Sequence, residues 1–122
     1  MTEGDGAPLA VVLMTVPDGA TGERLARALV EERLIACANL VPGVTSVYRW
    51  EGEVRSDTEL LVVMKTRAGL LERLFERAAA LHPYEVPELI ALDVVGGSRP
   101  YCGWVRAETE MQDGVPQPDP SV

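Results

Sequence analysis

The 122-residue chain has one histidine (His82), one lysine (Lys65), one phenylalanine (Phe75) and two cysteines (Cys37 and Cys102). A single histidine excludes a two-histidine metal site within one subunit. Two cysteines outside any C-x-x-C motif exclude a disulfide scaffold, and they read as reduced thiols of a cytosolic protein. Long hydrophobic runs are missing. Leu9 to Met14 is far too short to span a bilayer, and the acidic start Met1-Thr2-Glu3-Gly4-Asp5 stands where a signal peptide would be basic. The expected location is the cytoplasm. Basic residues are scarce, 11 Lys and Arg against 19 Asp and Glu, for a net charge of −8. That balance leaves no basic stripe for nucleic acid and no attraction to an anionic membrane.

Catalytic motifs are missing as well. The chain has no G-x-S-x-G, Walker A, G-x-G-x-x-G or H-E-x-x-H. The loop Thr15-Val16-Pro17-Asp18-Gly19 has no arginine, which argues against an acylphosphatase-type anion loop. Nothing pairs a nucleophile with a base, so the chain is expected not to be an enzyme.

What is present is the composition of one globular domain, 47% hydrophobic and 25% charged. Residues 1–8 and the proline-rich tail 111–122 read as disordered ends around a domain of residues 9–110. Leu9–Val16 predicts a strand. A helix is expected over 20–34, with Asp18 or Thr21 as its cap. A second strand runs from Ala36 to Trp50, with a bulge or bend at Pro42-Gly43. After that bend Val44, Ser46, Tyr48 and Trp50 share one face. Glu51-Gly52 makes a two-residue turn into a third strand over 53–66, polar at first and apolar from Leu60. A second helix is expected over 68–82 and ends at His82-Pro83. A fourth strand over 88–95 and a last helix over 99–110 follow. The order βαββαβ plus a C-terminal helix predicts an α+β, ferredoxin-like split β-α-β fold with strands one and three at its centre.

Two features imply a second copy. The apolar runs Leu9–Met14 and Leu60–Met64 call for burial on both sheet faces, while the helices of this fold cover only one. The long central hairpin has strands of about 14 residues, which reach about 45 Å, further than one small domain can cover. Self-association satisfies both. The alternative is a hairpin that folds back on its own sheet.

The densest chemistry is His82-Pro83-Tyr84-Glu85-Val86-Pro87-Glu88, where two prolines stiffen a loop bearing an imidazole, a phenol and two carboxylates. His82 either closes the helix or serves as a ligand. Cys37 is either a small core residue or a thiolate donor for a soft metal such as Cu(I). Lys65 ends an apolar strand and calls for a carboxylate or bound anion, with Glu85, Glu88 or a neighbouring copy as the source.

Three separated stretches resemble the CutA divalent-cation tolerance family: 29–39 (LVEERLIACAN), 41–52 (VPGVTSVYRWEG) and 82–88 (HPYEVPE). The resemblance covers about residues 9–106. It implies a homotrimer with strands paired between subunits, like the PII signalling proteins, and a link to copper and other divalent cations. On this basis Cys37, His82 and Glu85 are the candidate metal ligands. Tyr48, Trp50, Lys65, Tyr84 and Glu88 are the candidate lining of an inter-subunit pocket. Three functions stand as alternatives: a trimer binding copper or another divalent cation, which the resemblance favours; a non-enzymatic module binding a small anionic ligand or partner protein in inter-subunit clefts; and a scaffold for an unidentified protein tethered by the tail, which lies outside the resemblance.

Overall fold

The structure, a computed structural model, describes residues 6–110. The expectation of disordered ends over 1–5 and 111–122 lies outside the described residues. Residues 6–8 are tied down: the Pro8 carbonyl accepts from Ala68 N–H and the Ala7 carbonyl accepts from Arg106 Nε.

Eight elements follow in chain order: β1 (Leu9–Val16), α1 (Gly19–Glu31), β2 (Cys37–Trp50), β3 (Glu53–Arg67), a 3-10 turn (Ala68–Leu70), α2 (Leu71–Leu81), β4 (Ile90–Asp93) and α3 (Arg99–Glu108). The strands form one antiparallel sheet in the order β2-β3-β1-β4. β1 and β3 are central, as the split β-α-β pattern predicts. The fold class expected from sequence is therefore the one observed.

Local chemistry sets the boundaries. The Asp18 side chain accepts from Thr21 N–H at 2.8 Å and caps α1. α1 ends earlier than its apolar pattern predicts because Arg33 takes a left-handed φ of 61°. Leu34 N–H reaches back to the Leu29 carbonyl and Arg33 N–H to Val30, a Schellman closure built on arginine instead of glycine. The Arg33 guanidinium bonds the Glu108 carbonyl at the end of α3. Arg77 on α2 forks onto the Glu32 carboxylate at 2.9–3.1 Å, joining the two helices of the core layer. Glu51 and Gly52 both have positive φ, the geometry of a tight hairpin turn.

β4 is shorter than expected, four residues in place of eight. Leu89 packs against the main core, while Val94 packs near Val105 and Cys102 beneath α3. Leu89 lies before the paired segment, while Val94 N–H still reaches the Leu9 carbonyl at 3.2 Å.

α1 and α2 pack on one face of the sheet. Val12, Met14, Val16, Leu60, Val62 and Met64 of the strands meet Leu25, Leu29, Leu74 and Ala78 of the helices. Burying each large apolar side chain in such a layer contributes about 1.5–3 kcal/mol. Gly22 lets α1 come close. A Cβ there would stand 3.1–3.3 Å from methyls of Leu60, Val16 and Leu40.

The opposite face is open over much of its area. Val11, Leu13, Leu61 and Val63 are only partly buried, and Ile90 and Leu92 are about half exposed. α3 covers one end of this face, where Val105 meets Leu9. The hairpin also outruns the sheet. β1 pairs β3 only over Leu60–Arg67, so Glu53–Glu59, about 23 Å of strand, has β2 as its sole neighbour. Val47 and Val54 there are 68% and 67% exposed.

Between Val41 and Val44 the β2–β3 register slips by one residue, at the expected Pro42-Gly43. Before the bulge Cys37, Asn39 and Val41 face the open side with Lys65, Val63 and Leu61. After it Val44, Ser46, Tyr48 and Trp50 face that side with Glu59, Asp57, Arg55 and Glu53.

Candidate functional site

The bulge and the 82–88 loop together build the main cleft, of about 870 Å³. One wall is the outer hairpin, with Tyr48 and Trp50 on β2 and Asp57 and Glu59 on β3. The other is the loop carrying Tyr84, Glu85 and Glu88. The expected pocket residues Tyr48, Trp50, Tyr84 and Glu88 do come together, and Glu85 joins them. Asp57 and Glu59 were not foreseen. The alternating charges Arg55, Asp57 and Glu59, in phase with Tyr48 across the strand pair, are the sequence signal for them.

Hydrogen bonds order the cleft. Tyr84 Oη donates to Glu59 Oε2 at 2.6 Å, and Tyr48 Oη donates to Asp57 Oδ2. Burial first, then the bond to Glu59, holds the Tyr84 phenol well above the usual range. The bond to Asp57 raises the Tyr48 phenol. Arg55 lies 3.9–4.0 Å from the carboxylates of Glu51 and Glu53, toward the hairpin tip.

His82 stands behind the loop and not in the cleft. It is 7% exposed. Its Nδ1 accepts from Tyr84 N–H at 3.1 Å, so Nε2 carries the proton and donates to the Thr15 carbonyl at 2.8 Å. Both ring nitrogens are engaged by backbone groups of the same chain. The ring fixes the first residue of the loop and stacks at a tilt on Tyr84, centroids 4.7 Å apart.

Lys65 and Cys37 belong to a second group, at the opposite end of the open face. They are direct cross-strand partners. The Lys65 ammonium donates to the Asn39 side-chain carbonyl, not to Glu85 or Glu88, so Lys65 is no part of the main cleft. Cys37 Sγ and Tyr101 Oη lie 3.2 Å apart. That contact and burial push the Tyr101 phenol up to about 12. Both thiols are free.

The three expected ligands therefore separate. Cys37 sits level with Val11 and His82 bonds at Thr15, four residues and about 13 Å along β1. Among the described residues no three His, Cys, Asp or Glu side chains converge to hold a metal ion. The donors of one subunit do not fit a complete metal site.

Comparison with known proteins bears on this arrangement. Residues 10–108 match the family model for the CutA1 divalent ion tolerance protein. The chain belongs to the CutA1 family. A divalent-cation tolerance protein CutA of Thermus thermophilus is 54% identical over 99 residues, covering 81% of this chain and 96% of that protein. A chloroplastic CutA of Arabidopsis thaliana is 51% identical over 102 residues, 84% of this chain and 56% of that longer protein. The crystal structure of CutA1 from Oryza sativa superposes with a TM-score of 0.83 at 47% identity, covering 86% of this chain and 96% of that one. The family match spans all the elements that form the cleft and the Cys37 group. Among the described residues no helix is long and apolar enough to cross a membrane.

Proposed function

We propose that the protein serves divalent-cation tolerance as a cytoplasmic homotrimer, by binding and not by catalysis. Membership of the CutA1 family supports the cation-tolerance role. The observation that carries the assembly is the open sheet face, where Val11, Leu13, Leu61, Val63, Ile90 and Leu92 form an apolar surface beside a hairpin that outruns its own sheet. A monomer would leave that surface and the hairpin edge in water. Cys37 lies on the same face. Association would bring donors of neighbouring copies toward its thiol, which suits copper. Two free thiols are in keeping with a reducing compartment.

Light scattering after size exclusion tests the assembly: a trimer is expected, and a monomer at micromolar concentration overturns it. Copper titration of wild type and Cys37→Ser tests the ligand, and equal affinity for both removes Cys37. The alternative, a PII-like module binding a small anion, needs a cationic pocket. The cleft instead carries Asp57, Glu59, Glu85 and Glu88 against Arg55, and Lys65 lies outside it.

A further inference from the structure

Lys65 is the only lysine of the chain, and its own subunit leaves it underpaired. It stands half-buried on the open sheet face, between its cross-strand partners Val11 and Cys37. An ammonium has three donors. The acceptor it reaches here is the Asn39 side-chain carbonyl, which is uncharged. Among the described residues no carboxylate forms an ion pair with it. Water can serve the remaining donors only while the face is open. Once another copy covers it, an unpaired ammonium becomes strongly destabilising, because lysines are almost never buried without a partner. The opposite deficit lies at the other end of the same face. Glu85 and Glu88 of the 82–88 loop are exposed and have no cationic partner among the described residues. Asp57 and Glu59 beside them already accept from Tyr48 and Tyr84.

We propose that the loop carboxylates Glu85 and Glu88 of one copy pair with Lys65 of the next, so that the acidic loop end of each subunit docks on the Lys65 end of its neighbour. The two ends cannot meet within one chain. Lys65 is level with Val11 and the loop is anchored at Thr15, four residues and about 13 Å along β1, beyond the span of a lysine side chain. A ring of three joins two different patches of the chain, head to tail. The open face supplies such a pair, cationic at one end and acidic at the other. Contact of like with like would press acidic loop on acidic loop, and the two would repel. Each contact then covers apolar surface and removes both deficits at once. The pairing rests on the trimer proposed above and assigns which ends of its subunits touch.

With one lysine in the chain, a zero-length carbodiimide reads the contact directly, since it joins an amine to a touching carboxylate as an amide. The intact protein is treated at low concentration, after light scattering has fixed its oligomeric state. Covalent dimers and trimers are expected on denaturing gels, and mass spectrometry of the digest should find Lys65 joined to Glu85 or Glu88. Lys65→Arg keeps the charge, so it should assemble like wild type and abolish that product. A charge swap gives a second readout. Lys65→Glu alone, and Glu85→Lys with Glu88→Lys, should each raise the concentration at which the trimer dissociates by about tenfold or more. All three changes together should bring it back to within about threefold of wild type. A trimer in which Lys65 is joined only to other carboxylates would overturn the proposal and leave the trimer standing. So would a trimer in which Lys65 is joined to none and the swap brings no recovery. A monomeric wild type would overturn the assembly and the pairing with it.

Discussion

Replacing His82 tests whether its ring is a structural link or a ligand. The imidazole joins the end of β1 to the start of the 82–88 loop through two hydrogen bonds, to the Thr15 carbonyl and from Tyr84 N–H. His82→Ala leaves both backbone groups without a partner next to a buried core. A buried polar group that loses its partner costs about 1–3 kcal/mol, so the two together come to about 2–4 kcal/mol once some water enters. For a domain of about 100 residues that lowers Tm by about 10–20 °C. Two further variants divide the effect. In His82→Asn the amide oxygen takes the place of Nδ1 and keeps the Tyr84 bond. In His82→Gln the amide nitrogen takes the place of Nε2 and keeps the Thr15 bond. Each should lose about half of what His82→Ala loses, about 1–2 kcal/mol. Thermal melts at one fixed protein concentration measure this, since assembly makes Tm concentration-dependent. Copper affinity of the Asn and Gln variants should stay within twofold of wild type. The reasoning is refuted if His82→Ala melts within a few degrees of wild type. It is equally refuted if the Asn and Gln variants keep their stability but lose copper.

Other outcomes follow from the same geometry. A Cβ on Gly97 would sit 2.7 Å from Cys102 Sγ, so Gly97→Ala forces the thiol off its rotamer and should destabilise by about 0.5–1.5 kcal/mol. Adding Cys102→Ala should recover much of that loss in a double-mutant cycle. Asp18 is held below its ordinary value by the Thr21 amide. Its contribution is therefore present above the unfolded value of about 3.9 and lost as pH falls through the lower folded one. Melts of Asp18→Ala and wild type should differ at neutral pH and converge in acid. The phenols run the other way. Tyr48, Tyr84 and Tyr101 are all raised in the fold. Their contribution is full below pH about 10 and declines as pH rises through the folded values, about 12 for Tyr101. Phenolate absorbance should appear late in the native protein and near pH 10 in denaturant; a native titration near 10 would contradict the hydrogen bonds described.

Much of the fold could be read from the chain because local signals and the global pattern agree. Leu9–Val16 is a strand by composition and by structure. Pro42-Gly43 marks the bulge, and Glu51-Gly52 marks the turn. The misplaced boundaries have local causes. Arg33 closes α1 in a conformation normally signalled by glycine, and β4 pairs with β1 only over Ile90–Asp93, with Leu89 packed against the main core before it and Val94 keeping a single bond to Leu9 after it. The site was half legible. Tyr48, Trp50, Tyr84, Glu85 and Glu88 lie in two short motifs whose ends meet across the sheet. The partner of Lys65 within the chain depends on strand register. That register sets it opposite Cys37, and no stretch of sequence states it. Asp57 and Glu59 looked like ordinary solvent-facing strand residues until Tyr48 and Tyr84 were seen to bond them.

The bulge at Pro42-Gly43 also governs which changes of length the hairpin can absorb. Side chains alternate between faces, and the bulge sets two residues, Pro42 and Gly43, against Leu60 alone. Removing either one would close the bulge into regular pairing, with Val44 still opposite Glu59 and Ser46, Tyr48 and Trp50 still on the open face. One residue added or removed between Val44 and Trp50 acts instead as a parity error, because the residues between that point and the bulge turn to the other face while the turn holds the rest in place. The hairpin is therefore able to lose one residue at Pro42-Gly43 and intolerant of single-codon changes of length beyond it, a constraint that its surface chemistry does not reveal.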